Sequence, residues 1–483
     1  MTERIIKYGL PDIRFGTDGW RGIVNTEING DTVGIVADAF ARYLRENSDH
    51  PSCIVGFDGR RDSRNFAEIF ASVLKQEEIN TFLSDRITPT PYVSYYTQKH
   101  KLSAGVMITA SHNPAHYNGI KFKGPYGGPL MTGETLKVEN LLSHSYTEGE
   151  RPDSVNIVSD YDHHIDELID FAAIENAGLK PLIDSMGGAG ETYIQNILQR
   201  HSIQAETIYA KAAPDFSGRY AEPIEKNLGP LSAALRENKA YCCGLATDGD
   251  ADRLGVMTEN GEWLSAQETI LYLSDYILNT RNADGAIVIT SSVTDKISGL
   301  ASPHHPLREV QVGFKYICEA MLNEPVAIGC EESGGFGFGM HIPERDGILS
   351  ALIFLEMLAR SGYDRLSDFV RTKRRQFGEI HYRRIDHPVP HAGRTRILPL
   401  LYENNLSTLA KFDVSGTETF NSSRGIINGL KYRLKGGCRW LLLRASETEP
   451  LMRVYAEGQT SAEVEAILNA GLSIVSESYE KDR

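Results

Sequence analysis

The sequence predicts an α/β protein built from several domains, and two observations support this fold class. The chain has 483 residues, which is too long for one ordinary hydrophobic core and corresponds to roughly three or four domains. One pattern also recurs: a short apolar, β-branched run ends in a loop rich in Gly, Asp or Ser, and a segment with helical periodicity follows. Strands that alternate with helices indicate α/β layers with largely parallel or mixed sheets.

The recurring pattern places polar loops at the ends of strands. In α/β sheets, ligands bind at the carboxyl ends of the strands, so several of these loops are expected to face one cleft. In the helices, apolar residues recur at spacings of three and four, as between Asp31, the expected N-cap, and Leu44. The five instances of the pattern are CIVGFDGRRDS (53–63), GVMITASHNP (105–114), PLIDSMGGAG (181–190), GLATDGDADR (244–253) and VAIGCEESGG (326–335).

Three changes in composition mark expected domain boundaries. A polar stretch with Gly149 and Pro152 ends the first domain, the segment GEWLSAQE follows the second, and the charged run RTKRRQFGE closes the third. A chain organised in this way offers clefts between domains as binding sites. The predicted domains are 1–152, 153–260, 261–374 and 375–483.

The composition argues against several classes of protein. The chain is 41% apolar and 24% charged, and no segment approaches the ~18 uninterrupted apolar residues that span a bilayer; the best candidate, 348–358, is short and carries Glu356. No secretory signal is visible, and the six cysteines lack metal-ligand or disulfide spacing, so a cytoplasmic location is expected. The net charge of -14 argues against a nucleic-acid partner. It does not argue against an anionic small substrate, because exposed charges are screened beyond ~8 Å.

The most specific local signal is TDGDADR, which places Asp248, Asp250 and Asp252 on alternate residues after an apolar run. Alternation in a tight loop lets three hard carboxylate oxygens converge on one divalent cation. A polar turn without a ligand is one alternative. The other is an EF-hand loop, with Glu259 at the twelfth position, but Arg253 stands where that loop needs Gly and a strand precedes it.

The second signal is TASHNPAHYNGIKFK (109–123). Ser111 follows a strand in a loop that Pro114 and Gly119 keep from being helical, which is expected to leave its hydroxyl exposed. Ser111 and His112 suggest a hydrolase triad, but adjacent side chains seldom face each other and the GxSxG elbow is missing. Together with a metal loop, Ser111 becomes a candidate phosphoryl acceptor.

Three further segments are ambiguous when taken singly. GCEESGGFGFGMHIPERDGI (329–348) offers carboxylate acceptors for sugar hydroxyls, and RASETEP (444–450) offers a guanidinium and hydroxyls that suit an anion. FGTDGWRG (15–22) is a glycine-flanked polar loop. The candidate residues are Glu331 and Ser333 in the first, Arg444, Ser446 and Thr448 in the second, and Thr17 and Arg21 in the third.

Taken in order, FGTDGWRG, TASHNPAHYNGIK, DGDADR, CEESGG and RASETEP resemble the signature set of the α-D-phosphohexomutase superfamily, the phosphoglucomutases and phosphomannomutases. The resemblance extends from about residue 15 to about residue 453, with every landmark in sequence order. It implies four domains around a central cleft. The first three are α/β and topologically alike, and the last is a smaller α+β unit that closes over the substrate.

The resemblance also implies roles at matching positions. Ser111 is the implied phosphoserine, with His112 beside it as a further catalytic position, and Ser111 and the three aspartates hold Mg²⁺. Arg21, Lys121 and Arg253 are implied to line the phosphoryl group, with Lys121 as a proton shuttle. The implied substrate-binding residues are Thr17, Lys315, Glu331, Ser333, Arg444, Ser446, Thr448 and Arg453.

Two positions depart from the family pattern. Many bacterial members have a histidine two residues beyond the sugar-loop serine, where this chain has Gly335. The role of that imidazole is therefore either lost or supplied elsewhere, with His341 as the candidate. In the phosphate loop, Asn or Gly usually precedes the threonine, where this chain has Glu447. A carboxylate there is expected to point outward while its backbone N–H binds.

The function implied is a magnesium-dependent phosphohexomutase that interconverts hexose 1-phosphate and hexose 6-phosphate. Glucose is favoured and mannose is plausible as the sugar, and glucose 1,6-bisphosphate is the expected activator. There are three alternatives. The first is a phosphoglucosamine mutase, the second is a metal-dependent sugar phosphatase that uses the same serine, and the third is a sugar-phosphate-binding protein without catalysis. The expected partner is a small-molecule hexose phosphate, with no nucleic acid and no membrane, and the expected oligomeric state is a monomer or homodimer.

Overall fold

A computed structural model describes residues 2–6, 11–16, 18–389, 391–422, 425–446 and 451–481. Within these ranges the chain forms four sheets of four to six strands and one two-stranded sheet. Three mixed sheets with flanking helices precede an antiparallel sheet, which confirms the predicted fold class of three α/β domains and a C-terminal α+β domain. No helix within the described ranges is long and apolar enough to cross a membrane.

The first domain is a mixed sheet between helices, with strand order β2-β6-β5-β3-β4-β8 and a separate β1-β7 pair. Helix α1 starts after Asn29, whose side chain accepts hydrogen bonds from the N–H groups of Asp31 and Thr32. Asn29 is therefore the N-cap, and the expectation for Asp31 was wrong by two residues. The elements are β1 (Thr2–Ile5), β2 (Trp20–Ile23), α1 (Gly30–Asn47), β3 (Ser52–Phe57), α2 (Ser63–Gln76), β4 (Asn80–Ser84), α3 (Thr90–Lys99), β5 (Ala104–Ile108), β6 (Tyr117–Lys123), α4 (Thr132–Asn140), β7 (Ser145–Glu148) and β8 (Ser154–Val155).

The second domain has the strand order β10-β9-β11-β12-β13. Strands β10, β9 and β11 are parallel, and β12 and β13 are antiparallel to their neighbours. Short 3₁₀ helices occur at Phe216–Gly218 and Glu225–Asn227. The other elements are α5 (Val158–Leu168), α6 (Phe171–Asn176), β9 (Pro181–Asp184), α7 (Tyr193–Arg200), β10 (Glu206–Ile208), α8 (Gly229–Glu237), β11 (Cys243–Thr247), β12 (Leu254–Thr258) and β13 (Trp263–Leu264).

The third domain has the strand order β15-β14-β16-β17, with only β17 antiparallel to its neighbour. A 3₁₀ helix at Asp295–Leu300 follows β14. The other elements are α9 (Ala266–Asn279), β14 (Ala286–Thr290), β15 (Leu307–Val310), α10 (Phe314–Asn323), β16 (Val326–Cys330), β17 (Phe336–Phe338), α11 (Gly347–Arg360) and α12 (Leu366–Phe377).

The three α/β sheets share one strand order, which determines where the polar loops lie. The corresponding runs are β4-β3-β5-β6, β10-β9-β11-β12 and β15-β14-β16-β17, and the fourth strand is antiparallel in each. The loop before that fourth strand leaves the carboxyl end of its parallel neighbour at an equivalent place in every domain. These three loops carry Ser111, the three aspartates of TDGDADR, and Glu331 with Ser333. Each motif therefore lies at the equivalent place on its own sheet, and hydrogen bonds between Ser111 and Asp248 and between Leu254 and Gly334 join the three loops.

The fourth domain is one antiparallel sheet, β18-β23-β22-β21-β20-β19, with helices α13 and α14 packed against it. Its elements are β18 (His381–Pro388), α13 (His391–Glu403), β19 (Thr408–Leu409), β20 (Phe412–Asn421), β21 (Ile427–Leu434), β22 (Trp440–Ala445), β23 (Leu451–Gly458) and α14 (Ser461–Lys481).

Apolar packing joins the first three domains and leaves the fourth with a core of its own. One hydrophobic cluster runs from Tyr92 in α3 through Leu245 in β11 to Leu352 in α11. The segment 348–358 lies within α11 and is entirely buried in this shared core. A separate cluster, from Val389 to Val475, lies wholly within the fourth domain. The first three domains therefore form one continuous packed body.

The observed elements run slightly past the domain limits expected from the sequence. Strand β8 pairs with β4 of the first sheet and ends at Val155, beyond residue 152. Strand β13 completes the second sheet and ends at Leu264, and helix α12 continues to Phe377. We place the boundaries accordingly near 156, 265 and 378, because a strand belongs with the sheet that satisfies its hydrogen bonds.

Candidate active site

The loop between β5 and β6 presents Ser111 at the boundary of the first two domains. Ser111 is fully buried, and its φ of 51° lies in the left-handed region. Its N–H donates to Thr109 Oγ1 at 2.9 Å. Its Oγ donates to Asp248 Oδ2 at 2.9 Å. The expectation of an exposed hydroxyl was wrong, because the second domain covers this loop and turns the hydroxyl toward the metal loop.

The loop between β11 and β12 gathers the three aspartates. Asp248, Asp250 and Asp252 are completely buried, and each offers a carboxylate oxygen within 4.8 Å of the other two. Close approach of this loop to the serine requires Gly249, because a Cβ there would lie 2.2 Å from the carbonyl oxygen of Ser111. The loop is therefore shaped to bring its carboxylates against the serine loop.

The carboxylates of this loop repel one another and fit a hard divalent cation. Burial, followed by the charges of Asp252 and Asp250, raises the pKa of Asp248 well above its ordinary value. Oδ1 of Asp250 and Oδ1 of Asp252 are buried and have no hydrogen-bond partner among the described residues. A set of buried, unpartnered carboxylate oxygens beside a hydroxyl is the donor set that Mg²⁺ prefers. The residues present therefore fit the metal that the sequence predicts.

Lys121 on β6 neutralises part of this negative charge. Its Nζ lies 2.8 Å from Asp18 Oδ2, 2.7 Å from Asp250 Oδ2 and 2.9 Å from Asp252 Oδ2. Burial alone would lower the pKa of Lys121, but the charges of Asp18, Asp250 and Asp252 together raise it above its ordinary value. Lys121 is therefore held as an ammonium ion between the first two domains.

Arg345, which precedes α11, joins three domains at the same place. It bonds to Asp18 of the first domain, to Asp252 Oδ2 of the second at 2.7 Å and to Glu331 Oε2 of the third at 3.1 Å. A Cβ at Gly335 would lie 2.4 Å from Arg345 Cδ. The glycine that departs from the family pattern is therefore the residue that makes room for this arginine.

His341 does not take the place of the missing histidine. Its Nδ1 lies 2.9 Å from His164 Nε2 and its Nε2 lies 3.1 Å from Asp346 Oδ2, so both ring nitrogens are engaged. The side chain is fully buried at the junction of the second and third domains. Of the two alternatives, the structure therefore does not support His341 as the substitute.

Three other predicted catalytic residues surround Ser111. Arg21 on β2 donates to Asn113 Oδ1 of the serine loop at 2.5 Å. Arg253 Nε lies 3.9 Å from Asp248 Oδ2 and 3.8 Å from Asp252 Oδ1, and it has no hydrogen-bond partner among the described residues. His112 Nδ1 lies 3.3 Å from Ser111 Oγ, and burial together with nearby arginines lowers the pKa of His112 well below its ordinary value. The imidazole is therefore neutral near pH 7.

The loop between β16 and β17 carries the predicted sugar-binding pair. Glu331 is buried against Arg345, and Ser333 Oγ has no hydrogen-bond partner among the described residues. The loop is fastened to the metal loop, because Leu254 N donates to the carbonyl oxygen of Gly334 at 2.9 Å. Lys315 is buried in the first turn of α10. Glu331 and the metal triad are thereby held in one arrangement.

The fourth domain carries a second group of predicted binding residues, which we call the far end. Arg444 and Ser446 lie at the end of β22 and are largely buried, and Arg453 faces Arg444 from β23. Arg444 Nε has no hydrogen-bond partner among the described residues. Arg453 Nε lies 3.7 Å from Asp386 Oδ1. The far end therefore concentrates positive charge.

One ion pair links this far end to the sugar loop. Arg384 on β18 lies 3.8 Å from Glu332 Oε2 and 3.3 Å from Asp386 Oδ1. A chain of alternating charges therefore runs from Glu332 through Arg384 and Asp386 to Arg453. Thr17, Thr448 and Glu447, which the sequence also singles out, lie outside the described residues.

The sequence reasoning missed three residues of this cluster. Asp18 stands inside FGTDGWRG and Arg345 inside the long segment that contains the sugar loop, so both were within quoted motifs without being chosen. Thr90, whose hydroxyl donates to Asp250 Oδ2 at 2.5 Å, starts α3 and carries no local signal. Only the packing of the domains brings these residues to the aspartates.

The fold and the site define a multidomain protein in which a serine hydroxyl touches a buried triad of carboxylates, able to hold a metal ion, at the junction of the first three domains. The family descriptions "Phosphoglucomutase/phosphomannomutase, alpha/beta/alpha" domains I, II and III match residues 12–148, 159–261 and 266–377, and the C-terminal domain of the same family matches 404–470. The chain belongs to the α-D-phosphohexomutase superfamily, as the motifs predicted, and it is a mutase.

Several relatives match nearly the full length of the chain. A phosphoglucomutase/phosphomannomutase of Thermococcus kodakarensis is 27% identical over 96% of this chain and 98% of its own length. A phosphoglucosamine mutase of Clostridium novyi is also 27% identical, over 96% of this chain and 98% of its own length. The crystal structure of a Thermus thermophilus protein named as a phosphomannomutase is 31% identical, with a TM-score of 0.84 over 97% of this chain and 100% of that chain.

Proposed function

We propose that this chain is a Mg²⁺-dependent phosphohexomutase that interconverts hexose 1-phosphate and hexose 6-phosphate through phosphorylated Ser111 and a hexose 1,6-bisphosphate intermediate. Glucose is the proposed sugar, and glucose 1,6-bisphosphate is the proposed activator. The observation that carries the proposal is the 2.9 Å contact between Ser111 Oγ and Asp248 Oδ2. A nucleophile that touches a cation-binding triad, with Lys121 and Arg345 around it, is arranged for phosphoryl transfer.

The proposed transfer needs positioning and charge neutralisation more than covalent chemistry. The bond between Ser111 Oγ and phosphorus breaks as a bond forms from phosphorus to the free hydroxyl of the sugar phosphate. Asp248, Asp250 and Asp252 would hold Mg²⁺, which would supply Lewis-acid stabilisation of the transferring group. Arg21 and Arg253 flank the serine and would contact the phosphoryl oxygens, while Glu331 and Ser333 accept and donate hydrogen bonds at the sugar hydroxyls.

The proton movements follow from the groups near Ser111 Oγ. Lys121 has a raised pKa, so its resting form is the ammonium. We propose this ammonium as the proton source for the departing serine oxygen. His112 is neutral and its Nδ1 lies 3.3 Å from Ser111 Oγ, which suits proton acceptance there. In the proposed forward step, Lys121 gives its proton to the departing Ser111 oxygen and, as the amine so formed, takes the proton that the attacking sugar hydroxyl loses. The reverse step moves both protons the other way.

The second phosphate of the intermediate would bind at the far end of the cleft. Arg444 and Arg453 supply guanidinium groups there, and Ser446 supplies a hydroxyl. When the intermediate turns end for end, its two phosphates exchange places between Ser111 and this arginine cluster. Water must be excluded meanwhile to protect the phosphoserine, and closure of the fourth domain provides that exclusion.

A second candidate substrate is glucosamine phosphate. The observation in its favour is the 27% identity with a phosphoglucosamine mutase over nearly the whole chain, which equals the identity with the Thermococcus phosphoglucomutase/phosphomannomutase. The carboxylate of Glu331 can accept hydrogen bonds from either sugar. A direct comparison of the sugars decides between them.

The test is ³¹P NMR of the protein with Mg²⁺, a trace of glucose 1,6-bisphosphate and glucose 1-phosphate, repeated with the mannose and glucosamine analogues. We expect a 6-phosphate signal without inorganic phosphate, strongest for glucose. Inorganic phosphate alone would mean a phosphatase that uses the same serine. An unchanged spectrum with all three sugars would refute the proposal.

Ser111→Ala separates catalysis from binding. We expect turnover to fall at least about 10³-fold, because removal of a covalent nucleophile leaves only residual binding effects. The matched control is Ser103→Ala, which removes a hydroxyl of the same domain that bonds Ser48 at 3.1 Å, away from the triad. Equal turnover of both variants would contradict the role of Ser111.

A further inference from the structure

The structure assigns a positioning role to Arg60, which holds the serine loop in place from behind. Arg60 follows β3 in the segment CIVGFDGRRDS, and its side chain is completely buried. Among the described residues, its side chain makes no hydrogen bond or ion pair with Asp248, Asp250 or Asp252, or with Glu331 or Ser333. The inference rests on the proposed function, because a positioning residue needs a reaction to serve.

The guanidinium of Arg60 binds the backbone of the serine loop at four points. Nη2 donates to the carbonyl oxygens of Ser111 and Asn113 at 2.6 Å each. Nη1 donates to the carbonyl oxygens of Pro114 and Tyr117 at 2.9 Å each. The two terminal nitrogens carry four N–H groups, and all four are used on a single loop.

Two further contacts fix the guanidinium itself. Nε lies 3.2 Å from Asp58 Oδ2, and Asp58 Oδ1 accepts a hydrogen bond from Ser63 Oγ at 2.6 Å. The other side of the guanidinium lies over the ring of Phe216 in the second domain, 4.6 Å from its centroid. Arg60 is therefore held by both domains that meet at the active site.

Phe216 connects this arrangement to the metal loop. A Cβ on Gly249 would lie 3.2 Å from Phe216 Cζ and 2.2 Å from the carbonyl oxygen of Ser111. The carbonyl of Ser111 is thus enclosed between the guanidinium of Arg60 and the backbone of the metal loop. Because Ser111 adopts a φ of 51°, which is strained for a residue with a side chain, these contacts are what hold its hydroxyl toward Asp248.

The function of this arrangement is to fix the distance between Ser111 Oγ and the triad. A lysine cannot replace it, since one ammonium nitrogen has three donors and cannot reach four separated carbonyl groups. Misplacement of a reacting atom by about 1 Å costs on the order of 10²-fold in rate. Arg60 therefore acts on catalysis through Ser111 without touching the substrate.

The test compares Arg60→Lys with Arg61→Lys, the same change at the adjacent, exposed arginine. For Arg60→Lys, assayed well below its melting temperature, we expect kcat to fall roughly 10- to 100-fold with KM changed less than about 3-fold. Hydrogen exchange of residues 109–119 should also be faster than in the wild type. For Arg61→Lys we expect both measurements to match the wild type.

The outcomes separate the role of Arg60 from the proposed function. A lower melting temperature with wild-type kcat, or unchanged exchange in 109–119, would overturn the role of Arg60. Hydrogen exchange uses no substrate, so an inactive wild type would count against the mutase alone. If Arg60→Lys does not fold, Asp58→Asn is the second variant, because an amide group facing Nε displaces the guanidinium without deleting it. Wild-type kcat and wild-type hydrogen exchange in Asp58→Asn would also overturn the inference.

Discussion

The two ends of the cleft bind charge in different ways. At the reacting end, Asp18, Asp250 and Asp252 lie within 2.9 Å of the Lys121 ammonium, and all of these groups are largely buried. At the far end, the described ion pairs that involve Arg384 and Arg453 are longer, from 3.3 to 3.8 Å. The first end is a dense network of both signs, and the second, among the described residues, is a looser chain of alternating charges with Arg444 beside it.

The packing beneath the two ends explains this difference. The reacting end stands on loops of three domains that share one hydrophobic core, whereas the far end stands on a domain with its own core. Groups aimed at a transition state stabilise it best when they are already fixed, which a shared core provides. A phosphate that must bind and then leave suits arginines on a domain whose core is separate from that of the other three. The reacting end is therefore suited to hold its groups in a fixed geometry, and the far end is suited to bind and release a phosphate.

Lys121→Gln is the change expected to affect the reacting end most. Removal of the ammonium leaves Asp18, Asp250 and Asp252 facing one another without their shared cation, which destabilises a buried network by about 3–5 kcal/mol. We expect kcat to fall at least about 100-fold, since the acid at the serine oxygen is also lost. Steady-state kinetics and thermal unfolding measure the two effects.

Lys123→Gln is the control, because it changes a buried lysine two residues along the same strand. Lys123 pairs with Glu344, which is also fully buried. Its Nζ lies 3.9 Å from Asp18 Oδ1, and among the described ion pairs it has none with Asp250 or Asp252. We expect a comparable loss of stability with kcat within about 5-fold of the wild type. If both variants lost kcat equally, the effect at Lys121 would be one of stability, and the distinction between the ends would lose its support.

Arg444→Lys tests the far end, and its expected effect is smaller and falls on binding. A lysine keeps the charge but loses the planar pair of donors that fits a phosphate. We expect KM for hexose phosphate to rise roughly 10-fold with kcat within about 3-fold, since a contact made equally in ground and transition states changes KM alone. Arg383→Lys, an exposed residue of β18 that pairs with Glu465, should leave both constants unchanged. A fall in kcat without a rise in KM would mean that Arg444 serves the transition state.

The chemistry of the loops was predictable from the sequence because it is local. The three aspartates stand on alternate residues, Ser111 follows a strand, and each motif ends a β-run that can be read without the fold. The strand order repeated in three domains then places these loops together. The motifs and the α/β pattern therefore predicted the fold class and the general site.

The partners of these loops were not predictable, because they are far apart in the chain. Asp18 and Arg345 bond directly, yet no spacing rule connects them. The sequence shows Gly335 only as a position where the family histidine is missing. The position of the Arg345 side chain shows that the space beside the Gly335 Cα is already filled. The N-cap of α1 was missed because Asn29 and Asp31 are both good caps, and propensity cannot choose between neighbours.

The interface that carries the far end is polar, in contrast to the shared core. Glu457 on β23 accepts hydrogen bonds from Thr294 Oγ1 at 2.5 Å, from Asp295 N at 2.8 Å and from Trp440 Nε1 at 2.7 Å. Thr294 and Asp295 belong to the third domain. Burial is the largest influence on Glu457 and raises its pKa from 4.5 to about 7. This carboxyl group is therefore protonated in the folded protein at pH values where it is ionised in the unfolded chain.

Glu457→Gln is expected to have the smallest effect on activity and to reveal itself in the pH dependence of stability. Between pH 4.5 and about 7 the unfolded chain loses this proton and the folded protein keeps it. The free energy of unfolding of the wild type therefore falls by up to roughly 3 kcal/mol as pH rises through this window. Glutamine mimics the neutral carboxyl group, so the stability of the variant does not fall over this pH window. The urea midpoint of the wild type relative to Glu457→Gln should therefore be lower at pH 8 than at pH 5.

Glu463→Gln is the control: the Arg439 side chain lowers the pKa of Glu463 to about 2, so that variant's midpoint difference should be constant from pH 5 to 8. A constant difference for Glu457→Gln as well would show that the interface between the third and fourth domains does not hold a neutral carboxyl group.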